Sequence, residues 1–243
     1  MNARELYRAG HLSAAIQALG AELRDNPTDT RRRVFLFELL CFAGEYDRAE
    51  KHLDVLAQSG PEAATGALLY RAALAAERTR NRLFEKRDYP IAPAPAPVSG
   101  VLNGKPFESI EDADPRIGAR IEVYAAGDYL WLPLAHLALL QMAPPKRLRD
   151  LLWAPVLVHT GPQLQDRELG EVLMPALSPI SFRHADDAVR LGRATVWEAA
   201  ENGEEIPLGQ KMLLVDGDEF PLLEVRTLEI AAADTARQND ASA

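Results

Sequence analysis

The residues best placed to do chemistry in this chain are Asp112 and Asp114, two carboxylates two positions apart and followed by Arg116. Such a pair can hold a divalent cation or divide the acid and base roles of a reaction. A calcium loop, however, needs more oxygen ligands in a set order, with a central Gly and a distal bidentate Glu, and Asp112-Ala113-Asp114-Pro115 lacks that order. Turn and cap chemistry is the expected role, with Arg116 as ion-pair partner. His136, His159 and His184 are scattered, with no His-x-x-x-His spacing and no cysteine beside them, so they form no zinc set. Ser178 and Ser181 lie in no Gly-x-Ser-x-Gly elbow. Gly192, between Leu191 and Arg193, belongs to no Gly-rich phosphate loop. The expectation is a protein with no catalytic residues, no metal and no cofactor.

Composition narrows the classes further. The 243 residues suffice for one large domain or two modest ones, and 47% hydrophobic with 26% charged residues is ordinary globular material. A formal net charge of -9 argues against nucleic acid as partner, because phosphate-backbone binding requires clustered Lys and Arg. The single cysteine, Cys41, excludes an intramolecular disulfide and sits in an apolar helical run, where an inert buried thiol is expected. Residues 1–8 have no apolar signal region, and no later stretch reads as a membrane span. A cytoplasmic protein is expected.

The elements that would position any site begin with an internal repeat. A shift of 34 residues places Leu6 on Leu40, Ala9 on Ala43, Gly10 on Gly44, Ala15 on Ala49, Leu19 on Leu53 and Pro27 on Pro61. Each copy reads as a helix, a turn at Gly, a second helix with a small Ala at the crossing point, and a closing Pro. That period and punctuation resemble the tetratricopeptide repeat. Thr28 or Asp29 offers an N-cap for the second copy. A further helix is expected from about Glu62 to Lys86, capping the stack, with the run Arg78, Arg80, Arg82, Lys86, Arg87 as its solvated end.

Pro90, Pro93, Pro95 and Pro97, alternating mostly with Ala, then make a semi-rigid polyproline linker. Beyond it, short strands are expected at 121–124 and 129–132, joined as a hairpin through Ala126-Gly127-Asp128. Pro133 should start a helix over 134–142, ended by Pro144-Pro145. Further strands are expected at 154–160, 171–174, 194–197, 212–215 and 222–228. The fold class is α+β: a repeat-like helical domain over 1–88, a linker over 89–104, a β-rich α+β module over 105–231 and a frayed tail over 232–243.

Four short motifs of the second half occur in one order. They are Asp112-Ala113-Asp114-x-Arg116-x-Gly118, Gly127-Asp128-Tyr129-x-Trp131-x-Pro133, Arg149-Asp150-Leu151-x-Trp153 and Gly192-Arg193-x-Thr195-x-Trp197. Together they resemble the ImpE/SciE family, accessory proteins of type VI secretion systems, which also join a repeat-like helical region to a compact α+β module. The resemblance implies an interaction protein. Its partner would be the N-terminal helix of the small sheath subunit (TssB-like), with an indirect link to the ATPase ClpV. It also suggests that Arg149, Asp150 and Arg193 build a polar network under an interdomain groove, while Trp131, Trp153 and Trp197 are expected as core residues with their indole N–H groups satisfied.

In a repeat stack the first helix of each pair lines the concave face. Arg31, Val34, Glu38, Cys41 and Phe42 on the middle such helix, with Thr65, Leu68, Ala72 and Ala75 on the last, would make an apolar floor with charged edges. Such a surface accepts an amphipathic helix through anchors at i, i+3, i+4 and i+7. The competing arrangement has the second domain packed into that face. The competing function is a hydrolase-like or ligand-binding α+β module that the helices merely support, recognisable by a cleft with shifted titratable groups.

Overall fold

Asn2 accepts from the Glu5 backbone N–H at 3.0 Å while the Glu5 carboxylate accepts from the Asn2 N–H at 2.9 Å, a capping box that starts α1 (Ala3–Arg8). The structure is a computed structural model that describes residues 1–89, 98–164, 168–200 and 203–231. The Pro/Ala stretch 90–97 and the tail 232–243 lie outside the described residues. Four more long helices follow: α2 (Leu12–Asp25), α3 (Thr30–Phe42), α4 (Tyr46–Ala57) and α5 (Pro61–Lys86), each packed on the one before. Asp29 caps α3 through the Arg32 N–H at 2.9 Å, and Pro61 occupies the first turn of α5, where its missing N–H costs nothing.

The two sequence copies take the same local structure. Gly10 and Gly44 both turn the chain at positive φ (86° and 72°), and Ala15 and Ala49 are both buried at the helix crossings. The two glycines differ in what they face. A Cβ at Gly44 would lie 2.2 Å from Cδ2 of Phe182, a ring that packs edge-on to Tyr46, whereas one at Gly10 would meet only the Arg193 guanidinium at 3.7 Å. Gly44→Ala therefore combines left-handed strain of about 1–2 kcal/mol with overpacking of about 1–3 kcal/mol. Gly10→Ala should show the strain alone. Urea unfolding of both, with Phe182→Ala restoring part of the Gly44→Ala loss but none of the Gly10→Ala loss, checks the assignment.

The strand-rich part holds β1 (Gly100–Leu102), β2 (Lys105–Phe107), β3 (Ile110–Asp112), β4 (Arg120–Ala125), β5 (Asp128–Pro133), β6 (Leu137–Met142), β7 (Trp153–Thr160), β8 (Glu168–Pro175), the short helix α6 (Asp187–Arg190), β9 (Thr195–Ala199), β10 (Glu205–Gly209), β11 (Met212–Val215), β12 (Asp218–Pro221) and β13 (Thr227–Ile230). Eight strands form one antiparallel sheet in the order β2-β1-β13-β6-β7-β8-β4-β5, flanked by the pair β10-β9 and the three-stranded β12-β11-β3. The α+β class expected from the sequence is the observed one. Three hairpins turn on two residues at positive φ: Asn103-Gly104, Ala126-Gly127 and Asp216-Gly217. The Asn103 carboxamide also accepts from the N–H groups of Arg226 (2.7 Å) and Thr227 (3.0 Å), tying that turn to the start of β13.

Two expectations fail. The helix expected over 134–142 is a single 3-10 turn, Leu134–His136, running into β6, and the strand expected over 222–228 is a 3-10 turn at Leu222–Glu224 followed by β13. At 137–142, Leu, Ala and Met favour helix, but β6 lies between β13 and β7, so ladder bonds on both sides override local preference. β1, β2, β3, β10 and β12 lie where no strand was expected, β1 within the stretch expected as linker.

Candidate partner-binding groove

Two cores organise the molecule. One lies among the sheet's own residues, including Ile121, Val123, Leu140, Val156 and Val158. The other is the helical core, and it also takes in Tyr124, Leu152, Trp153, Leu177 and Leu191 from the strand-rich part. The helices and the sheet are therefore joined by shared apolar burial. At the seam, Ala72 of α5 packs against the β4–β5 turn, its Cβ 3.6 Å from where a side chain at Gly127 would begin.

The seam is built on charge as well as apolar contact. Arg80, only 2% exposed, donates from Nε and Nη2 to the two oxygens of Glu122 at 2.7 and 2.9 Å, and from Nη2 to the Leu177 carbonyl at 2.9 Å. Lys211 Nζ sits 2.6 Å from Glu122 Oε2 and 2.5 Å from Asp112 Oδ2. Glu77, one turn before Arg80, accepts from the Trp153 indole N–H at 3.0 Å, from Asn81 Nδ2 at 3.1 Å and from the Tyr124 hydroxyl. Burial alone would raise the Glu122 carboxyl, but Arg80 and Lys211 outweigh it and hold it at about 2. Burial pushes Asp112 up to about 6, with Lys211 opposing the rise and Glu122 and Asp114 adding to it. The cavity beside this cluster, lined by Asn81, Trp153, Ser178 and Phe182 among others, measures about 20 Å³, room for one water. These shifted groups are paired with one another inside the seam.

The expected motif residues occupy structural positions. Asp112 Oδ1 accepts from the Asp114 N–H at 2.9 Å, and Asp114 takes the Arg116 guanidinium at 2.8 and 2.5 Å, so the carboxylate pair serves a turn and two ion pairs. Among the described residues no group of His, Cys, Asp and Glu could hold a metal. Trp131 donates its indole N–H to the Tyr129 hydroxyl, which in turn donates to Glu122. Pro133 ends β5, and Trp197 faces Pro207 across β9 and β10. Gly192, at φ 65°, lies where a Cβ would meet Leu177 Cδ2 at 2.5 Å. Arg149, Asp150 and Arg193 do not make one network. Asp150 accepts from the Lys146 and Arg147 N–H groups at the 3-10 turn Leu148–Leu151, Arg149 lies 4.6 Å over the Tyr70 ring, and Arg193 donates to the Tyr7 and Arg8 carbonyls at 2.6 and 3.0 Å, capping the end of α1.

The buried charges are hidden in the sequence because Arg80 stands within a run of basic residues, Arg78 to Arg87, that has the composition of a solvated helix end. Its neighbours carried the signal: Ala73, Glu77, Arg80 and Phe84 step by four, three and four along one buried stripe of α5. Arg78, by contrast, lies on the surface and pairs with Asp47 and Glu50 at 2.8 Å each.

The helical face expected to bind a partner is divided. Phe42 and Cys41 are buried and line the small interdomain cavity. Leu68 is 66% exposed on α5, with Thr65 and Ala75 also exposed. Arg31, Val34 and Glu38 line an open groove of about 470 Å³ together with Arg4, Tyr7, Arg8, Thr30, Phe35 and Leu148. Its walls are α1 and α3, and the 3-10 turn bearing Leu148 closes one end, with Leu148 and Leu151 packed on the helical core. Part of the face is thus filled by the strand-rich part and part remains open.

Glu38 sits in that groove at 7% exposure. Burial pushes its carboxyl up to about 7, Asp150 adds to the rise and Arg147 opposes it. A carboxyl raised in the folded state binds its proton more tightly than in the unfolded chain. Its contribution is then fully present below the unfolded value near 4.5 and is lost as pH rises through about 7. Glu38→Gln should remove that loss, leaving the variant about 2–3 kcal/mol more stable than the parent at pH 8 and equal to it near pH 4. Urea titrations at both pH values check this.

Comparisons with known proteins agree with the geometry. Residues 104–229 match the family model described as ImpE protein. A type VI secretion system accessory component, TagJ, from Pseudomonas aeruginosa is 32% identical over an alignment covering 96% of this chain and 92% of that protein. A crystal structure of a Vibrio parahaemolyticus protein shares the fold, with a TM-score of 0.80 at 24% identity over 94% of this chain and 97% of that one. No helix among the described residues is long and apolar enough to cross a membrane. The family match, the full-length relative and the motifs in their expected order lead to one conclusion: the chain belongs to the ImpE family.

Proposed function

We propose that this protein is a cytoplasmic, non-enzymatic accessory component of a bacterial type VI secretion system; its Pseudomonas aeruginosa relative is named as an accessory component of such a system. In this reading it binds the N-terminal helix of the small, TssB-like sheath subunit and connects it to sheath assembly or to ClpV-dependent recycling. The observation that carries the reading is the open groove between α1 and α3, whose floor of Tyr7, Val34, Phe35 and Leu148 matches the apolar stripe of an incoming helix. The division of the helical face supports this placement: the strand-rich part covers Phe42, while Val34 stays accessible.

The test is a fluorescence-anisotropy titration of the full chain with a labelled peptide of the sheath subunit's N-terminal helix. Saturable binding that is lost in Val34→Asp and kept in Leu68→Glu is the expected result. Loss in Leu68→Glu alone would move the site onto α5, and no binding by the unsubstituted protein would overturn the sheath-adaptor reading.

A further inference from the structure

We infer that the α1–α3 groove selects a helical segment whose polar flanks are acidic; this rests on that groove being the partner site. Arg4 and Arg8 stand on one wall and Arg31 on the other. None of the three has a carboxylate within ion-pair distance among the described residues, in a chain whose formal net charge is -9. The neighbouring Arg32 is occupied differently, pairing with Glu22 and Asp29. Glu22 lies near Arg4 but is tied by hydrogen bonds to Arg32 and to the Ala3 N–H, while Arg193 adds a further guanidinium behind the end of α1 through its bonds to Tyr7 and Arg8. Arg4 and Arg193 also lie over the rings of Phe35 and Tyr7, 5.8 and 4.7 Å from their centroids, so each holds a charge beside an apolar anchor position.

An incoming helix that seats its apolar stripe on Tyr7, Val34 and Phe35 would present its flanking residues to these arginines. Glu or Asp there gains charge-assisted contacts, and Lys or Arg meets like charge. Glu38 is the acidic exception inside the groove, and it is 7% exposed and lies within electrostatic reach of Asp150 and Arg147. The rim therefore supplies selectivity, and the floor supplies affinity.

The probes are two labelled amphipathic peptides with identical leucines at i, i+3, i+4 and i+7, one flanked by glutamates and one by lysines, titrated against the full chain by anisotropy. The glutamate peptide should bind at least about tenfold more tightly, the preference should shrink in high salt, and Arg31→Glu should lower its affinity about tenfold while circular dichroism stays unchanged. Equal affinities, or a preference for lysine, would overturn the acidic selectivity; if both were still lost in Val34→Asp, the groove would stand as the site. Failure of both peptides to bind, or binding indifferent to Val34→Asp, would overturn the site and this inference with it.

Discussion

Arg80→Ala should cost about 3–5 kcal/mol, a large share of the stability of a protein this size. The substitution removes the bidentate partner of Glu122 and the donor to the Leu177 carbonyl while leaving the Glu122 carboxylate in the seam. Lys211 remains beside it, but that ammonium is shared with Asp112, so the cluster is left with an excess of buried negative charge. The penalty is mainly that of stranding Glu122, since a buried pair made and desolvated together returns little net stability. Replacing both partners, Arg80→Met with Glu122→Leu, should consequently recover most of the loss, because Lys211 and Asp112 then balance each other. Denaturant unfolding of the two single variants and the double gives the coupling directly. A loss below about 1 kcal/mol for Arg80→Ala would mean that water reaches the seam and solvates Glu122.

Trp153→Ala should be of similar size, about 3–5 kcal/mol, by a different mechanism. The indole is buried in the core shared by helices and sheet, lies nearly parallel to the Tyr70 ring at 6.2 Å and gives its N–H to Glu77. Truncation opens a cavity between the two halves and takes one donor from a buried carboxylate. Trp153→Phe separates the two losses, since it keeps most of the ring volume and removes only the hydrogen bond, for about 1.5–3 kcal/mol. Unfolding should be followed by far-ultraviolet circular dichroism, because Trp153 is itself one of three tryptophans reporting in fluorescence. If Phe and Ala proved equally costly, the indole N–H would carry the effect and the packing would not.

Much of the α-helical half was legible because its order is local. The repeat placed Gly10 and Gly44 at turns, Thr28 or Asp29 as a cap and Pro61 just before a helix, and the structure uses Asp29 as the cap and Pro61 as the first residue of α5; each works through neighbours within a few residues. The Ala126-Gly127 hairpin and the turn role of Asp112 and Asp114 were readable for the same reason. Asn103-Gly104 was as strong a turn signal, yet β1 and β2 were not expected beside it.

The sequence by itself determined the class of fold, the absence of a disulfide and the motif order that marks the family. Tertiary structure alone decided that residues 137–142 form a strand, because only pairing with β7 and β13 outweighs their helical preference. It alone decided that Arg80 is buried while Arg78 is not, since a basic run shows no side until Glu122, on a strand far along the chain, pairs with Arg80. It likewise decided which part of the helical face stays open: the 3-10 turn at Leu148–Leu151 and the residues around Trp153 cover Phe42 and leave Arg31 and Val34 at a groove. Local chemistry specifies turns and caps through contacts a few residues apart. A buried charge or an open groove depends on which distant surfaces meet, and no short stretch of sequence contains that.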